Sequence, residues 1–386
     1  MPIFSNPLRS KLPKTGTSIF TIMSQLAAEE KAINLSQGFP DFESSSDLIA
    51  LVNKYMKKGL NQYAPMAGIM PLREAIAEKT ERLYKASYSP EKEITITSGA
   101  TQAIYTAITS YIKEGDEVIV FEPAYDCYVP AIELNGGIPV YVQLKFPDFH
   151  IDWNEVKKLV SQKTKMIIIN SPHNPCGASL GSKDMKELEK ITKNSDIVIL
   201  SDEVYEHIIF DGKSHQSVMR YPALRDRSFV VFSYGKTYHN TGWKLGYCIG
   251  PENLMAEFRK VHQFLVFSAN TPIQWALNDY MRDENHYNEL GKFYQEKRDY
   301  FLNLIKDSKF TFIPATGTYF QLLNYSNITE EKDTEFAIRL TKEAKVAAIP
   351  TSVFYHKPTD NHLLRFCFAK GNETLEKAAE RLCKIA

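Results

Sequence analysis

The stretch Ser233-Tyr234-Gly235-Lys236-Thr237-Tyr238-His239-Asn240-Thr241-Gly242-Trp243-Lys244-Leu245-Gly246 follows directly on an apolar run at 229–233. Such a run, rich in Phe and Val, reads as a strand buried on both faces. A lysine just past it, among small and aromatic residues, is out of place for a surface charge. Lysine is also the side chain whose pKa falls readily on burial and which condenses with carbonyls. A lone lysine is ordinarily a solvated charge, so Lys236 gains meaning only from what surrounds it.

Moving outward, similar short runs occur at 94–97, 118–121, 140–142, 166–170, 197–201 and 246–249. Longer amphipathic stretches separate several of them, such as 101–113 and 183–194. Strands alternating with helices predict a mostly parallel sheet covered by helices. Residues 41–280 therefore read as one large α/β domain of about seven strands. From 281 to 386 the pattern changes. A charged helix is expected over 287–308, strands over 318–323 and 363–368, and helices over 334–343 and 374–384, which makes a smaller α+β domain. Residues 1–40 form an arm whose scattered Leu12, Ile19 and Phe20 cannot bury themselves. It is expected to dock on the small domain or on a partner subunit.

Composition narrows the function. The 386 residues carry 46 basic and 46 acidic side chains, which argues against nucleic acid or an anionic membrane as partner. Five scattered cysteines without a CxxC pair read as reduced thiols of a cytoplasmic protein. No metal-ligand set is assigned. Residues 1–16 lack an apolar core, so no secretory signal is expected, and no run approaches the ~20 residues of a membrane helix.

Functional residues of an open α/β sheet lie just past the carboxyl ends of its strands. Three further segments stand there. Ser98-Gly99-Ala100-Thr101-Gln102 opens a helix, where small residues let backbone N–H groups approach an anion. Alone it reads as a tight strand-to-helix turn. Asn170-Ser171-Pro172-His173-Asn174-Pro175-Cys176-Gly177 is stiffened by two prolines and presents the Asn174 amide. Alone it is a plain Asn-Pro turn. In Ser201-Asp202-Glu203-Val204-Tyr205, a carboxylate at a buried strand end needs a partner, although Asp202 also suits a helix cap.

Jointly the segments meet one set of needs. Pyridoxal phosphate requires an amine for its aldehyde, a carboxylate for its ring nitrogen, donors for its phenolic oxygen, and N–H groups with cations for its phosphate. Lys236, Asp202, Asn174 with Tyr205, and Gly99–Thr101 with Ser233 and Lys244 answer these in order.

The order SGAT, SPHNPCG, SDEVYE and SYGKTYHNTGWKLG, with NLSQGFPDF at 34–42 and NQYAPMAG at 61–68, resembles the class I/II aminotransferases of fold type I along essentially the whole chain. Within them it is most similar to bacterial methionine aminotransferases and kynurenine aminotransferase-like proteins. The resemblance implies that Lys236 is the Schiff-base lysine and proton shuttle, that Asp202 keeps the pyridine nitrogen protonated, and that Asn174 and Tyr205 hold the phenolic oxygen. It implies Tyr125 stacked on the ring, and Ala100, Thr101, Ser233 and Lys244 around the phosphate. Tyr63 would reach the phosphate of the other subunit, giving a homodimer with shared active sites. Gly38, Asn174 and Arg365 would bind the substrate α-carboxylate. Arg365 fits this independently, because it interrupts the apolar run at 363–368 and a bidentate carboxylate is its natural partner. Many members of the wider class carry Arg where this chain has Lys244, a point charge without a planar fork.

The expected chemistry moves an amino group from an amino acid to a 2-oxo acid by a ping-pong route. Residues 261–270 contain neither Lys nor Arg to meet a side-chain carboxylate. Tyr63, Tyr125 and Phe267 predict an aromatic-lined pocket suited to methionine, aromatic amino acids, kynurenine or glutamine. A C–S β-lyase on the same scaffold would carry the same cofactor site. A ligand-sensing regulator is the non-enzymatic alternative, but neither the neutral net charge nor the early start of the resemblance favours a DNA-binding module.

Overall fold

A computed structural model describes residues 9–385 of the chain. Residues 1–8, the start of the arm and half of the stretch read for a secretory signal, lie outside the described residues.

Seven strands form one sheet in the order Ile94–Thr97, Gly246–Ile249, Ser228–Ser233, Val198–Asp202, Thr164–Asn170, Glu117–Glu122 and Ile138–Gln143. Gly246–Ile249 runs antiparallel to both neighbours, and every other pairing is parallel. Successive side chains of a strand face opposite ways, so a sheet covered on both sides needs apolar residues at every position. That is how the strands are built. Val118 and Val120 enter one core with Met166, Ile168, Val198, Leu200 and Phe229. Ile119 and Phe121 enter the other with Ile167, Ile169, Ile199 and Val230. Helices Ala100–Tyr111 and Glu252–Leu265 cover the first face, and Met70–Tyr84 and Ser182–Thr192 feed the second core. Each buried Val, Ile, Leu or Phe contributes roughly 1.5–3 kcal/mol.

A second, antiparallel sheet places Leu363–Cys367 between Ile349–Pro350 and Phe320–Asn324. The N-terminal segment docks here. Helix Ile19–Glu29 starts at Ser18, whose hydroxyl accepts from the Thr21 N–H at 3.3 Å. Ile33–Asn34 then pairs in parallel with Val346–Ala347, and the Cys367 N–H donates to the Leu35 carbonyl at 2.8 Å.

Among the expected elements, three depart from their sequence-based bounds for reasons that the structure shows. The helix over 287–308 is two pieces, Asn285–Asn288 and Leu290–Leu304. The break falls beside Gly291, a weak helix former whose bare Cα lets the Ile209 carbonyl lie 3.0 Å from where a Cβ would stand. The strand over 318–323 begins later, at Phe320, because Thr318 takes a left-handed conformation with φ 65°. The helix over 334–343 runs as Asp333–Arg339 and then widens into a π turn over Leu340–Ala344.

Candidate active site

Five segments converge at the carboxyl ends of the large sheet. Gly99, Ala100, Thr101, Tyr125, Asn174, Asp202, Tyr205, Ser233, Lys236 and Lys244 all line one cavity there. Nine of these ten were expected together from the sequence, and Gly99 had been grouped with the phosphate-binding turn. Gly38 and Arg365 border the same place through direct contacts described below. Tyr63 and Phe267 do not line it. They meet edge to face at 5.3 Å on the surface, 81% and 51% exposed.

Lys236 sits in the one-turn helix Tyr234–Thr237 that follows its strand. Its Nζ donates to the Gly38 carbonyl at 3.1 Å and to the Tyr319 hydroxyl at 2.8 Å. The Tyr319 O–H in turn donates to the same Gly38 carbonyl at 2.6 Å. Burial pushes the ammonium pKa down to about 8. Asp202, 4% exposed, ends its strand. Its Oδ2 accepts from the Tyr128 hydroxyl at 2.6 Å and its Oδ1 from the Val204 N–H at 3.3 Å. Burial raises its pKa to about 6, with the Tyr128 hydrogen bond pulling the other way. An amine made easier to deprotonate and a carboxyl made easier to protonate thus face one cavity.

The phosphate end rests on close backbone approach. Gly99, with φ +84°, precedes the helix Ala100–Tyr111, whose first N–H groups have no partner within the helix. Gly246 lets that helix start lie against its strand. A Cβ there would stand 3.2 Å from the Ala100 nitrogen and 2.4 Å from the Phe232 carbonyl. Lys244, left-handed at φ 53°, brings its Nζ to 3.7 Å from where a Gly99 Cβ would be. Its ammonium has no ion pair among the described residues. A cation beside a positive helix end is unfavourable without an anion between them.

The third part is a chain of hydrogen bonds leading to the second sheet. Asn170 donates to the Asp202 carbonyl at 2.9 Å and accepts from the Asn174 N–H at 2.8 Å. The Asn174 amide oxygen accepts from Arg365 Nη1 at 2.7 Å, and Arg365 Nη2 donates to the Ser36 carbonyl at 3.0 Å. Arg365, 1% exposed, lies on the middle strand of its sheet, with its guanidinium 4.0 Å over the Phe320 ring. Its Nε is buried without a partner, and among the described residues it forms no ion pair. Burial lowers its pKa. Tyr205, 3% exposed, lies with its ring centroid 5.6 Å from Lys236 Nζ and 5.2 Å from the Tyr319 ring. Burial raises the Tyr205 and Tyr125 phenols.

These residues fit pyridoxal phosphate on three observations. An anion is wanted between Lys244 and the helix start, a cation is wanted at Asp202, and Lys236 is tuned towards its nucleophilic form. Sequence reading missed Tyr319, Tyr128 and Asn170. Tyr128 opens the helix Tyr128–Leu134 three residues after Tyr125, and the two rings meet edge to face at 5.8 Å. Tyr319 follows the left-handed Thr318, and nothing in Gly-Thr-Tyr announces that turn. Among the described residues no group of His, Cys, Asp and Glu is suited to a metal ion, and no helix is long and apolar enough to cross a membrane.

Residues 30–382 match the family model for aminotransferase class I and II. The methionine aminotransferase of Escherichia coli is 50% identical over 384 residues, 99% of this chain and 100% of that protein. A kynurenine–oxoglutarate transaminase of Dictyostelium discoideum is 33% identical, covering 96% of this chain and 94% of its own length. A crystal structure of an Escherichia coli protein identified as a methionine aminotransferase superposes with a TM-score of 0.96 at 49% identity, covering 99% of this chain and 100% of that one. Lineage and architecture lead to the same place as the cavity does: the chain belongs to the class I and II aminotransferases, which are pyridoxal-phosphate-dependent enzymes of fold type I.

Proposed function

We propose that this aminotransferase takes its amino group from methionine, aromatic or similar neutral amino acids and delivers it to a 2-oxo acid. The observation that carries the reading is Arg365, a buried guanidinium with an unpartnered Nε and no carboxylate of its own. A free α-carboxylate completes it. Half of the residues match a relative named for methionine, and the aromatic rings of Tyr125, Tyr205 and Phe320 around the site suit a thioether or another ring.

Each residue has a role that its geometry supports. Pyridoxal phosphate, when bound, supplies an electron sink for the pair released at the substrate α-carbon. Asp202 holds a proton at the ring nitrogen, and a cationic N–H beside it offsets the burial that raises its pKa. Asn174 and Tyr205 orient the phenolic oxygen. Tyr125 covers the ring. Ala100, Thr101, Ser233 and Lys244 hold the phosphate, with the helix start supplying N–H groups. Arg365, with Asn174 and Gly38, positions the α-carboxylate. Lys236 Nζ would carry the proton of the substrate α-carbon, and Tyr319 with the Gly38 carbonyl keeps that nitrogen in place.

The same reading includes a division into an arm and part of the small domain at 1–40, a large domain at 41–280 and a small domain at 281–386. It also includes a cytoplasmic homodimer in which Tyr63 and Phe267 serve the partner's site. Their exposure, beside Phe264 at 87% exposed, supports this, because a clustered apolar surface of this kind marks a contact face.

A donor screen with purified holoenzyme tests the proposal. With a 2-oxo acid present, methionine and phenylalanine should give new amino acid at higher kcat/KM than aspartate does. An aspartate preference, or release of ammonia and a thiol in place of a new amino acid, overturns it.

A further inference from the structure

A cavity larger than the one that holds Lys236 lies elsewhere among the described residues. It measures about 650 Å³, within the range of small-molecule sites. It lies between the large sheet and the segment around 311–316, behind the loop that carries Asn174. Its walls are apolar and in part aromatic, with Phe121, Phe149, Ile169, Phe312, Leu322 and Leu363 on several sides.

The polar groups of this cavity divide into satisfied and unsatisfied. Asp184 accepts from the Trp153 indole N–H at 2.9 Å and the Gly181 N–H at 2.7 Å. Asp148 is engaged by His150 Nδ1 at 2.6 Å. Ser179 is paired with the Thr316 hydroxyl at 3.0 Å. His173 differs. It is only 8% exposed, its side chain takes part in no hydrogen bond among the described residues, and Nδ1 is buried without a partner. Burial drives its pKa down to about 4, so it stands as a neutral imidazole able to donate from one nitrogen and accept at the other. Lys213, exposed at the mouth, forms no ion pair among the described residues. A polar ligand group that reaches this ring would give it the hydrogen bond it lacks.

We propose that this cavity is a second binding site, separate from the cofactor site, for an aromatic carboxylic acid carrying a polar ring substituent. The ring lies between the apolar walls, the substituent meets His173, and the acid group meets Lys213 at the mouth. Aromatic walls favour a flat ring over a flexible chain, and the free ammonium at the rim favours an acid over an amine. His173 immediately precedes Asn174, whose amide holds Arg365, so an occupant presses on the back of the loop that positions the substrate guanidinium.

The probe is 6-hydroxy-2-naphthoate, followed by its own fluorescence on the holoenzyme with a saturating 2-oxo acid present to fill the α-carboxylate site. Saturable binding of one probe per chain is expected. The neutral 6-hydroxy-2-naphthamide should bind less tightly. Lys213→Ala, a surface change away from the catalytic residues, should leave transamination intact and weaken the naphthoate about threefold, the scale of an exposed ion pair. Ala178→Trp, which fills the cavity from its wall, should abolish binding. The assignment is overturned by the absence of saturable binding, by displacement with the 2-oxo acid, by unchanged affinity in Lys213→Ala with the amide binding equally well, or by undiminished binding to an Ala178→Trp enzyme that retains activity.

Discussion

Lys236 Nζ rests on the Gly38 carbonyl and the Tyr319 hydroxyl, while burial draws its pKa down to about 8. Capture of the cofactor aldehyde needs the free lone pair on that nitrogen. The protonated fraction dominates below the folded pKa and falls as pH rises through it. Cofactor loading of the stripped enzyme, followed by absorbance, should therefore accelerate through a midpoint near 8. A midpoint at the ordinary lysine value of 10.5 would show that the amine is not buried as described. Tyr319→Phe keeps the ring contacts with Tyr205 and Tyr294 and removes only the hydroxyl. One hydrogen bond of about 0.5–1.5 kcal/mol corresponds to a fall in kcat of up to roughly tenfold. KM for the amino acid should hold steady, since Arg365 is untouched, and the loading midpoint should move. Unchanged kcat and an unchanged loading profile together would remove Tyr319 from the site.

At the scale of elements, the phosphate end depends on how closely a helix start approaches a strand. Gly246→Ala puts a methyl group against the Phe232 carbonyl and the Ala100 nitrogen. Overpacking of this kind costs about 1–3 kcal/mol. Thermal unfolding of the stripped protein should shift down by several degrees, and cofactor affinity should fall with it. Wild-type melting together with wild-type cofactor affinity would mean that the helix start does not lie where it is described. The elements also show what was legible in advance. The seven strands announced themselves as continuous apolar runs because both faces of each are covered. Their ends then located Lys236, Asp202, Asn174 and the SGAT turn. Tyr319 stayed hidden because its position follows from a left-handed Thr318, and Thr carries no propensity for that conformation. The helix break at Glu289 was hidden for a similar reason. Its cause is the approach of the Ile209 carbonyl to Gly291, a contact between segments far apart in the chain.

For the molecule as a whole, one chain supplies every group of the cavity except the proposed reach of Tyr63 and Phe267 into a second copy. This can be tested without a structure. Lys236→Ala lacks its amine, and Tyr63→Ala lacks the crossing side chain. When the two inactive or weakened proteins are mixed, unfolded and refolded together, half of each mixed dimer should carry an intact site. Activity should rise above that of either parent. Sedimentation as a monomer, or no gain on mixing, would show that sites are not shared.

The carbonyls of Ser36 and Gly38 receive Arg365 and Lys236 respectively. Two peptide units of the bend that follows the strand Ile33–Asn34 thus act as a ruler between the group that grips the substrate acid and the group that handles its proton. Since that strand is stitched to Val346–Ala347 and to Cys367, the spacing between grip and proton carrier travels with the smaller sheet as a fixed gauge, and any slip of the N-terminal strand misaligns both at once.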